Sequence, residues 1–337
     1  MRKISLVICF LFAFCFPLVA EAETETDAEV GFHIKAIIPD NQVDKKLTYF
    51  DLRLEPGQKQ TIKFLIENTS NEESTYKISV NQAYTNDQGF IDYTQPADNQ
   101  EIPEEFQISK IAKVPESITL AGGKSQEVSI DLTMPEKEFD GQILSAIHVM
   151  KEGQAEQEGQ IVNNYGYVLG LKLTNNENEV QRKLELEDIE PAISFGKTSV
   201  VATLKNPTMD AIGHLKYNAE VKNAAGETVK EVSYDKDMQM APLSTYRFAI
   251  DWDNERLEAG DYSLHLTVAD AKDNEWEFDR EFTISENEAK EVNKVAITEV
   301  NQQSIPTWVY VVVGVLLGII ILLLIYFLFI RKKKKEE

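Results

Sequence analysis

The sequence has only two cysteines among its 337 residues. Both of them, Cys9 and Cys15, lie in an apolar run that follows the basic pair Arg2 and Lys3. The run ends in Ala20-Glu21-Ala22, which has the small-x-small pattern of a signal cleavage site. We therefore predict a secretory signal peptide over residues 1–22. The mature chain would have no thiol, which excludes disulfides and leaves its stability to the apolar core.

Basic residues are also scarce, with 34 Lys and Arg against 56 Asp and Glu and a formal net charge of −22. A chain this acidic would repel phosphate groups, so the composition argues against nucleic-acid binding. The hydrophobic share of 43% is too high for a wholly disordered chain. The part between the two chain ends, about 285 residues, is long enough for two domains of ordinary size.

The signature motifs of common enzyme classes are missing as well. The sequence has no Gly-x-Ser-x-Gly elbow and no phosphate-binding glycine loop. The four histidines, His33, His148, His214 and His265, stand far apart and show no metal-ligand spacing. The prediction is a protein that is not an enzyme and that has no cofactor and no metal site.

One long apolar run follows the signal. Residues 308–330 carry no charge, and as a helix they would be about 34 Å long, against a hydrocarbon thickness of about 30 Å. A basic stretch follows at once, and the positive-inside rule places it in the cytoplasm. We predict a stalk over 286–307, a single transmembrane helix over 308–330 and a cytoplasmic basic tail over 331–337. The expected localisation is the cell membrane, single-pass, with the N-terminal domains extracellular and the C-terminus cytoplasmic.

The middle of the chain alternates apolar and polar residues. Ile62, Phe64 and Ile66 fall on one face of a strand, and Tyr246, Phe248 and other apolar residues do so over 245–252. Turn formers such as Pro56-Gly57 and Gly122-Gly123 separate these runs. The pattern predicts an all-β fold of two tandem immunoglobulin-like antiparallel β-sandwiches, followed by the transmembrane helix. The domain ranges are 31–175 and 180–285, with a polar break at Asn175–Glu179 between them.

A local motif supports the immunoglobulin-like fold for the second domain. The sequence Leu257-x-x-Gly260-Asp261-Tyr262-x-Leu264 resembles a tyrosine corner, in which the Tyr hydroxyl bonds back to the chain at the start of a strand. The first domain has a related turn at Gly141 but carries Ile143 where the second has Tyr262. This weak repeat indicates two sandwiches of one type.

Spaced motifs in the first domain resemble a known family. They are Gly31-Phe32, Pro39-x-Asn41-Gln42, Tyr49-Phe50-Asp51-Leu52, Pro56-Gly57-Gln58, Asn68 and Ala83-x-Thr85-Asn86-x-x-Gly89-x-Ile91-x-Tyr93. The family's second domain, which the resemblance would start near residue 160, adds Tyr167-x-x-Gly170-x-x-Leu173. The strand pattern places this segment in the first sandwich instead. The set is similar to that of the WxL-interacting cell-surface proteins of Gram-positive bacteria.

The resemblance implies a function in binding. The family's N-terminal domain is assigned to peptidoglycan and its second domain to host components, so adhesion to a host extracellular matrix protein is a further expectation. Such proteins hold surface proteins with WxL domains at the wall, which makes those proteins and peptidoglycan the expected partners. The alternative is a wall-modifying glycan enzyme, because a catalytic pair of carboxylates cannot be recognised from sequence.

The candidate glycan-binding residues lie in one loop of the first domain. Tyr84, Phe90 and Tyr93 would offer flat faces to sugar rings, and Asn86 and Asp87 would bond hydroxyl groups. Asn and Gly also form turns, so a purely structural role for this loop is the competing interpretation.

Overall fold

The computed structural model describes residues 30–95, 102–153, 166–253 and 255–295. Within these residues the fold is all-β, with mostly antiparallel sheets and two short α-helices. The predicted signal peptide, transmembrane helix and basic tail lie outside the described residues.

The first domain has two main sheets. Its strands are β1 (Phe32–Ile37), β2 (Phe50–Arg53), β3 (Lys59–Asn68), β4 (Ser74–Gln82), β5 (Tyr84–Thr85), β6 (Ile91–Asp92), β7 (Ala112–Lys113), β8 (Ser117–Leu120), β9 (Ser125–Thr133), β10 (Ile143–Lys151) and β11 (Gly166–Thr174). One sheet has the order β1-β3-β9-β7 and the other β2-β11-β10-β4-β8, while β5 and β6 form a separate hairpin. A 3₁₀ turn (Glu104–Phe106) and helix α1 (Ile108–Ile111) precede β7. The pair β2–β11 is parallel, which the antiparallel prediction missed.

The second domain also has two sheets. Its strands are β12 (Glu185–Ser194), β13 (Lys197–Asn206), β14 (Ile212–Asn223), β15 (Thr228–Met240), β16 (Ser244–Asp251), β17 (Gly260–Ala269) and β18 (Glu275–Ile284). The sheet orders are β12-β13-β16 and β15-β14-β17-β18. These orders match β1-β3-β9 and β8-β4-β10-β11 of the first domain, so the weak sequence repeat corresponds to a repeat of topology.

Each pair of sheets encloses its own core because alternate residues of each strand face inward. In β9 the inward residues Val128, Ile130 and Leu132 are buried, and their neighbours are exposed. In β16 Tyr246 and Phe248 are buried in the same way. The two cores are separate clusters, one built from residues 32–173 and the other from 184–289.

The tyrosine corner is confirmed. The Tyr262 hydroxyl donates a hydrogen bond to the backbone oxygen of Glu258 at 3.0 Å. This bond fixes the chain just before β17 begins at Gly260.

The first part of the segment predicted as a stalk is helical. Residues Glu286–Val295 form helix α2, whose start has a capping box between Ser285 and Glu288. The Asn293 side chain bonds both the nitrogen and the oxygen of Leu257, at 2.9 and 2.8 Å. The helix is therefore docked on the second domain, since Ala289 is buried in that domain's core.

The predicted localisation needs correction. Across the described ranges, no helix is long and apolar enough to cross a bilayer. The single-pass membrane localisation is therefore wrong as stated.

Candidate functional site

The predicted glycan loop is a hairpin that Asn86 organises. Its strands pair Tyr84 with Asp92 and Thr85 with Ile91. The Asn86 side-chain oxygen accepts hydrogen bonds from the backbone nitrogens of Gln88 and Phe90, at 3.0 and 3.1 Å. For Asn86 the structural interpretation therefore has direct support.

Asp92 and Tyr84 hold the base of the loop. The Asp92 carboxylate accepts from the backbone nitrogens of Tyr93 and Thr94, at 2.6 and 2.8 Å. Burial by itself would raise the pKa of Asp92, but hydrogen bonds, chiefly from Thr94, outweigh it and lower the pKa. The Tyr84 hydroxyl lies 3.2 Å from the Thr94 hydroxyl, and burial raises the pKa of Tyr84.

The tip of the loop docks on the second domain. The nitrogen of Gln239 donates to the Gly89 oxygen at 2.7 Å, and the nitrogen of Ala241 donates to the Thr85 hydroxyl at 3.0 Å. That hydroxyl is also 2.6 Å from the Ser244 hydroxyl. Gly89 has φ +78°, and a Cβ at this position would clash with the Met238 side chain. The loop is thus a contact between the domains, which sequence reasoning did not predict.

A second contact joins the domains at Gly141. The nitrogen of Gln142 donates to the Met209 oxygen at 2.6 Å, and the Gln142 side chain donates to Asp210 at 2.9 Å. Arg182 bonds the same Asp210 at 2.9 Å and Asp270 at 2.7 Å. The connection between the sandwiches is therefore part of a hydrogen-bonded network.

Beside the loop tip lies a cavity of about 430 Å³. Its apolar walls come from both domains: Phe90, Phe195, Tyr234, Met238, Tyr246 and Phe248. Polar groups at its margin include Asp87 and Gln88, and Lys197 is paired with Asp251 at 2.8 Å. Burial raises the pKa of Tyr246, which keeps its phenol neutral. The volume is within the range of about 300–1,000 Å³ of small-ligand sites.

The structure divides the five predicted residues. Asp87 and Phe90 line the cavity, whereas Tyr84, Asn86 and Tyr93 do not. Tyr93 is only partly exposed, and its backbone oxygen accepts a bond from the Asn81 side chain at 2.8 Å. Whether any of the five contacts glycan remains a prediction.

Two sequence-family models match the chain. The model described as WxL Interacting Protein, peptidoglycan binding domain, matches residues 32–151, and the model for the host binding domain matches residues 156–294. The chain belongs to the WxL-interacting protein family. The predicted family is therefore confirmed, and the cavity lies where the family's two domains meet.

Among solved structures, likeness to the WxL-interacting chain is weak. The class 5 fimbriae chaperone CfaA is 11% identical, covering 74% of this chain and 98% of the other, with a TM-score of 0.29. The E. coli chaperone DraB is 14% identical, covering 75% and 95%, with a TM-score of 0.26. A family 123 glycoside hydrolase from Clostridium perfringens is 12% identical, covering 43% and 27%, also at 0.26. Scores this low carry no argument about function. No curated protein matches the chain.

Sequence reasoning missed most of the cavity in this WxL-interacting protein. Alternation placed Tyr246 and Phe248 on an inward face, but it gave no sign that a cavity lies beside them. A local signal was available at Phe195, which precedes Gly196 in a turn, an unusual place for an exposed aromatic residue.

Among its described residues the structure also brings together one group of potential metal ligands. His265, Glu277 and Asp279 lie on neighbouring strands with ligand atoms within 4.8 Å of one another. The His265 Nδ1 is 2.9 Å from an Asp279 oxygen. The carboxylates are exposed, and such groups are common on acidic surfaces that hold no ion. Spacing along the sequence could not reveal this group, because strand register creates it.

Proposed function

We propose that this chain is a non-enzymatic scaffold of the Gram-positive cell wall, built from two immunoglobulin-like sandwiches. It holds WxL-domain proteins and peptidoglycan together, and its second domain contributes adhesion to a host extracellular matrix protein. The family supports the binding of peptidoglycan and host components and the interaction with WxL proteins. The alternative, a wall-modifying enzyme, has no support in the comparisons.

The observation that carries the proposal is the direct contact between the two binding domains. The Gly89 and Gly141 turns of the first domain bond Gln239 and Met209 of the second. Each such hydrogen bond contributes on the order of 1 kcal/mol, and the side chains of Met238 and Tyr246 add buried apolar contact under Gly89. A partner bound to one domain is then held at a fixed position relative to a ligand of the other.

Co-sedimentation with purified sacculi tests the scaffold function. We expect a WxL-domain protein to pellet with sacculi in larger amount when the full chain is present. Equal pelleting without the chain would contradict the proposal. Release of soluble muropeptides by the chain would favour the enzyme instead.

We further propose that the outer side of the loop over 84–93 contacts glycan. Tyr84 and Tyr93 are half-buried, so part of each ring stays available for stacking on a sugar. We expect the Tyr84→Ala, Tyr93→Ala double variant to bind sacculi less well than the wild type. Phe195→Ala, which changes an exposed aromatic residue of the second domain, is the matched control and should bind normally.

A further inference from the structure

The two sandwiches differ on one equivalent side. In the first, the side between β9 and β4 is closed by the chain itself. Strand β7 pairs with β9 at Asp131 and Leu132, and α1 packs against both β4 and β9. The buried apolar residues of this closing segment are Ile102, Phe106, Ile108 and Ile111. A polypeptide segment thus fills this side of the first core.

The second sandwich has no such segment among its described residues. Among the strands that the structure describes, β16 pairs only with β13, and β15 only with β14. The cavity lies in the gap between β15 and β16, which we call the open seam. The first domain's loop covers one end of the open seam through Gly89 and Thr85. The rest of the gap is lined by Tyr234, which is half-buried, and by the buried side chains of Met238 and Phe248.

The edge of β16 offers free backbone groups to the open seam. The backbone nitrogen of Trp252 donates to the backbone oxygen of Thr198 at 3.0 Å. In an antiparallel pair every second residue bonds the partner strand, so the backbone groups of Ile250 and Phe248 also face β13. The backbone groups of the alternate residues Arg247, Ala249 and Asp251 therefore point away from β13. Ala249 and Asp251 line the cavity. An unpaired edge of this kind can pair with the strand of another chain.

Phe195 lies at the entrance to the cavity of the open seam. It sits in the turn between β12 and β13 with φ +49°, an uncommon conformation for a bulky residue, and its side chain is 66% exposed. In the free protein the exposed ring of Phe195 contributes no hydrophobic stabilisation that could offset the cost of this backbone conformation. Such stabilisation arises only when a partner covers the ring.

We infer that the open seam binds an extended segment of a partner protein, which pairs with β16 and places two apolar side chains into the cavity. This inference rests on the proposed function, in which the chain binds WxL-domain proteins. In the Trp-x-Leu pattern that the family's name denotes, the two apolar residues stand two positions apart. In an extended segment such residues point to the same face, about 6.7 Å apart.

The chemistry of the cavity fits this occupant. Rings of Phe90, Phe195 and Tyr234 are available to pack against an indole and an aliphatic side chain. A buried indole N–H needs an acceptor, and the carboxylates of Asp87 and Asp251 lie at the margin. The first sandwich shows the same solution within one chain, where Phe106 and Ile108 fill the side that β7 closes.

Peptide binding to the full chain tests the inference. The probe is a labelled synthetic peptide with Trp-x-Leu between polar β-formers, measured by fluorescence anisotropy. A control peptide of equal composition has Trp and Leu adjacent, so that they point to opposite faces. We expect the control to bind at least about tenfold more weakly, since one of its anchors cannot enter the cavity. Equal binding of both peptides would overturn the inference.

Two variants locate the site. Ala249→Pro removes a backbone donor that faces the free edge and leaves the bonds to β13 in place, and Phe195→Ala removes the exposed ring. Both substitutions should weaken peptide binding about tenfold or more. Tyr49→Ala, an aromatic residue of the first domain with a 37% exposed side chain, should not. Unchanged binding in both variants would contradict the inference.

The same variants separate this inference from the proposed function. If they bind an intact WxL-domain protein as well as the wild type does, the open seam is not the site, although the scaffold function stands. If the wild type binds no WxL-domain protein, the partner function and the inference both fail. A third outcome is that soluble muropeptide displaces the peptide and that Phe195→Ala also weakens the binding of muropeptide. In that case the open seam is a sugar-binding site, and the inference is wrong.

Discussion

The two sandwiches share a strand order, yet they differ in the connection that follows their equivalent strands β4 and β14. In the second domain this connection is the short turn that contains Gly226. In the first it runs over 83–116, with 96–101 outside the described residues. It supplies both the loop that docks on the second domain and the segment that closes the first core. One long connection therefore completes its own domain and covers part of its neighbour, while the second sandwich, as far as its described residues show, keeps an open side.

The shared features of the sandwiches are as informative as the difference. Asn68 ends β3 and Asn206 ends β13, and both are fully buried. The Asn68 amide nitrogen donates to Leu120 and Glu72, and that of Asn206 donates to Ala241 and Asp210. Each thus ties its strand end to the connection before the next strand. A buried asparagine at the end of a strand thus stabilises both sandwiches through the same pattern of hydrogen bonds.

The largest expected effect comes from separating the two sandwiches. In Gly141→Ala, the new Cβ would clash with the Met209 backbone across the interface, at a residue with φ +96°. We expect a loss of roughly 5 kcal/mol and two thermal transitions in calorimetry where the wild type shows one. Gly123→Ala is the matched control, because Gly123 also has positive φ but has open space around it. Equal losses in both variants would show that backbone strain, and not the interface, explains the effect.

Substitution of Arg182 should cause a smaller loss of folding stability, and this loss should depend on pH. Its guanidinium pairs with Asp270, whose side chain is fully buried, and removing the partner of a buried charge costs about 3–5 kcal/mol. Burial alone would raise the pKa of Asp270, but hydrogen bonds from Arg182 and Asn274 lower it. A lowered pKa stabilises the fold above the unfolded value of about 3.9, and this stabilisation is lost as the pH falls.

Urea unfolding of Arg182→Met at pH 7 and at pH 3 checks this expectation. The difference in stability from the wild type should be large at pH 7 and smaller at pH 3, because pH 3 lies below the unfolded-state pKa of about 3.9 and unfolding then takes up a proton at Asp270. A difference that stays constant with pH would mean that packing of the Arg182 side chain, and not its charge, stabilises the fold.

The paired asparagines provide a direct test of the repeat. Asn68→Ala and Asn206→Ala each leave buried carbonyl groups without a donor, and each should cost about 2–3 kcal/mol. The two losses should agree within about 1 kcal/mol, as measured by chemical denaturation. A much larger loss at one site would show that the two domains do not rely equally on this device.

The sequence allowed correct prediction of those features that depend on nearby residues. Alternation over 126–132 and 245–252 identified β9 and β16, because the period of two is local. The spacing of Leu257, Gly260 and Tyr262 identified the tyrosine corner for the same reason. Gly89 could be recognised as a turn residue, but its contact with Met238 depends on the packing of two domains. The open seam depends on which strand is absent from an edge, and no local pattern records that.

The smallest expected effect concerns the corner that only the second sandwich has. Tyr262→Phe removes the hydroxyl that bonds Glu258 but keeps the ring, which stacks on Phe282 at 5.6 Å. Because the bond is solvent-exposed, the loss should be about 1 kcal/mol or less. Tyr167→Phe in the first domain should change stability by less than about 0.5 kcal/mol, since its ring packs on Phe32 and no described residue bonds its hydroxyl. If both substitutions lower the free energy of unfolding by the same amount, the tyrosine corner contributes no more stability than Ile143, which is buried at the equivalent place of the first domain.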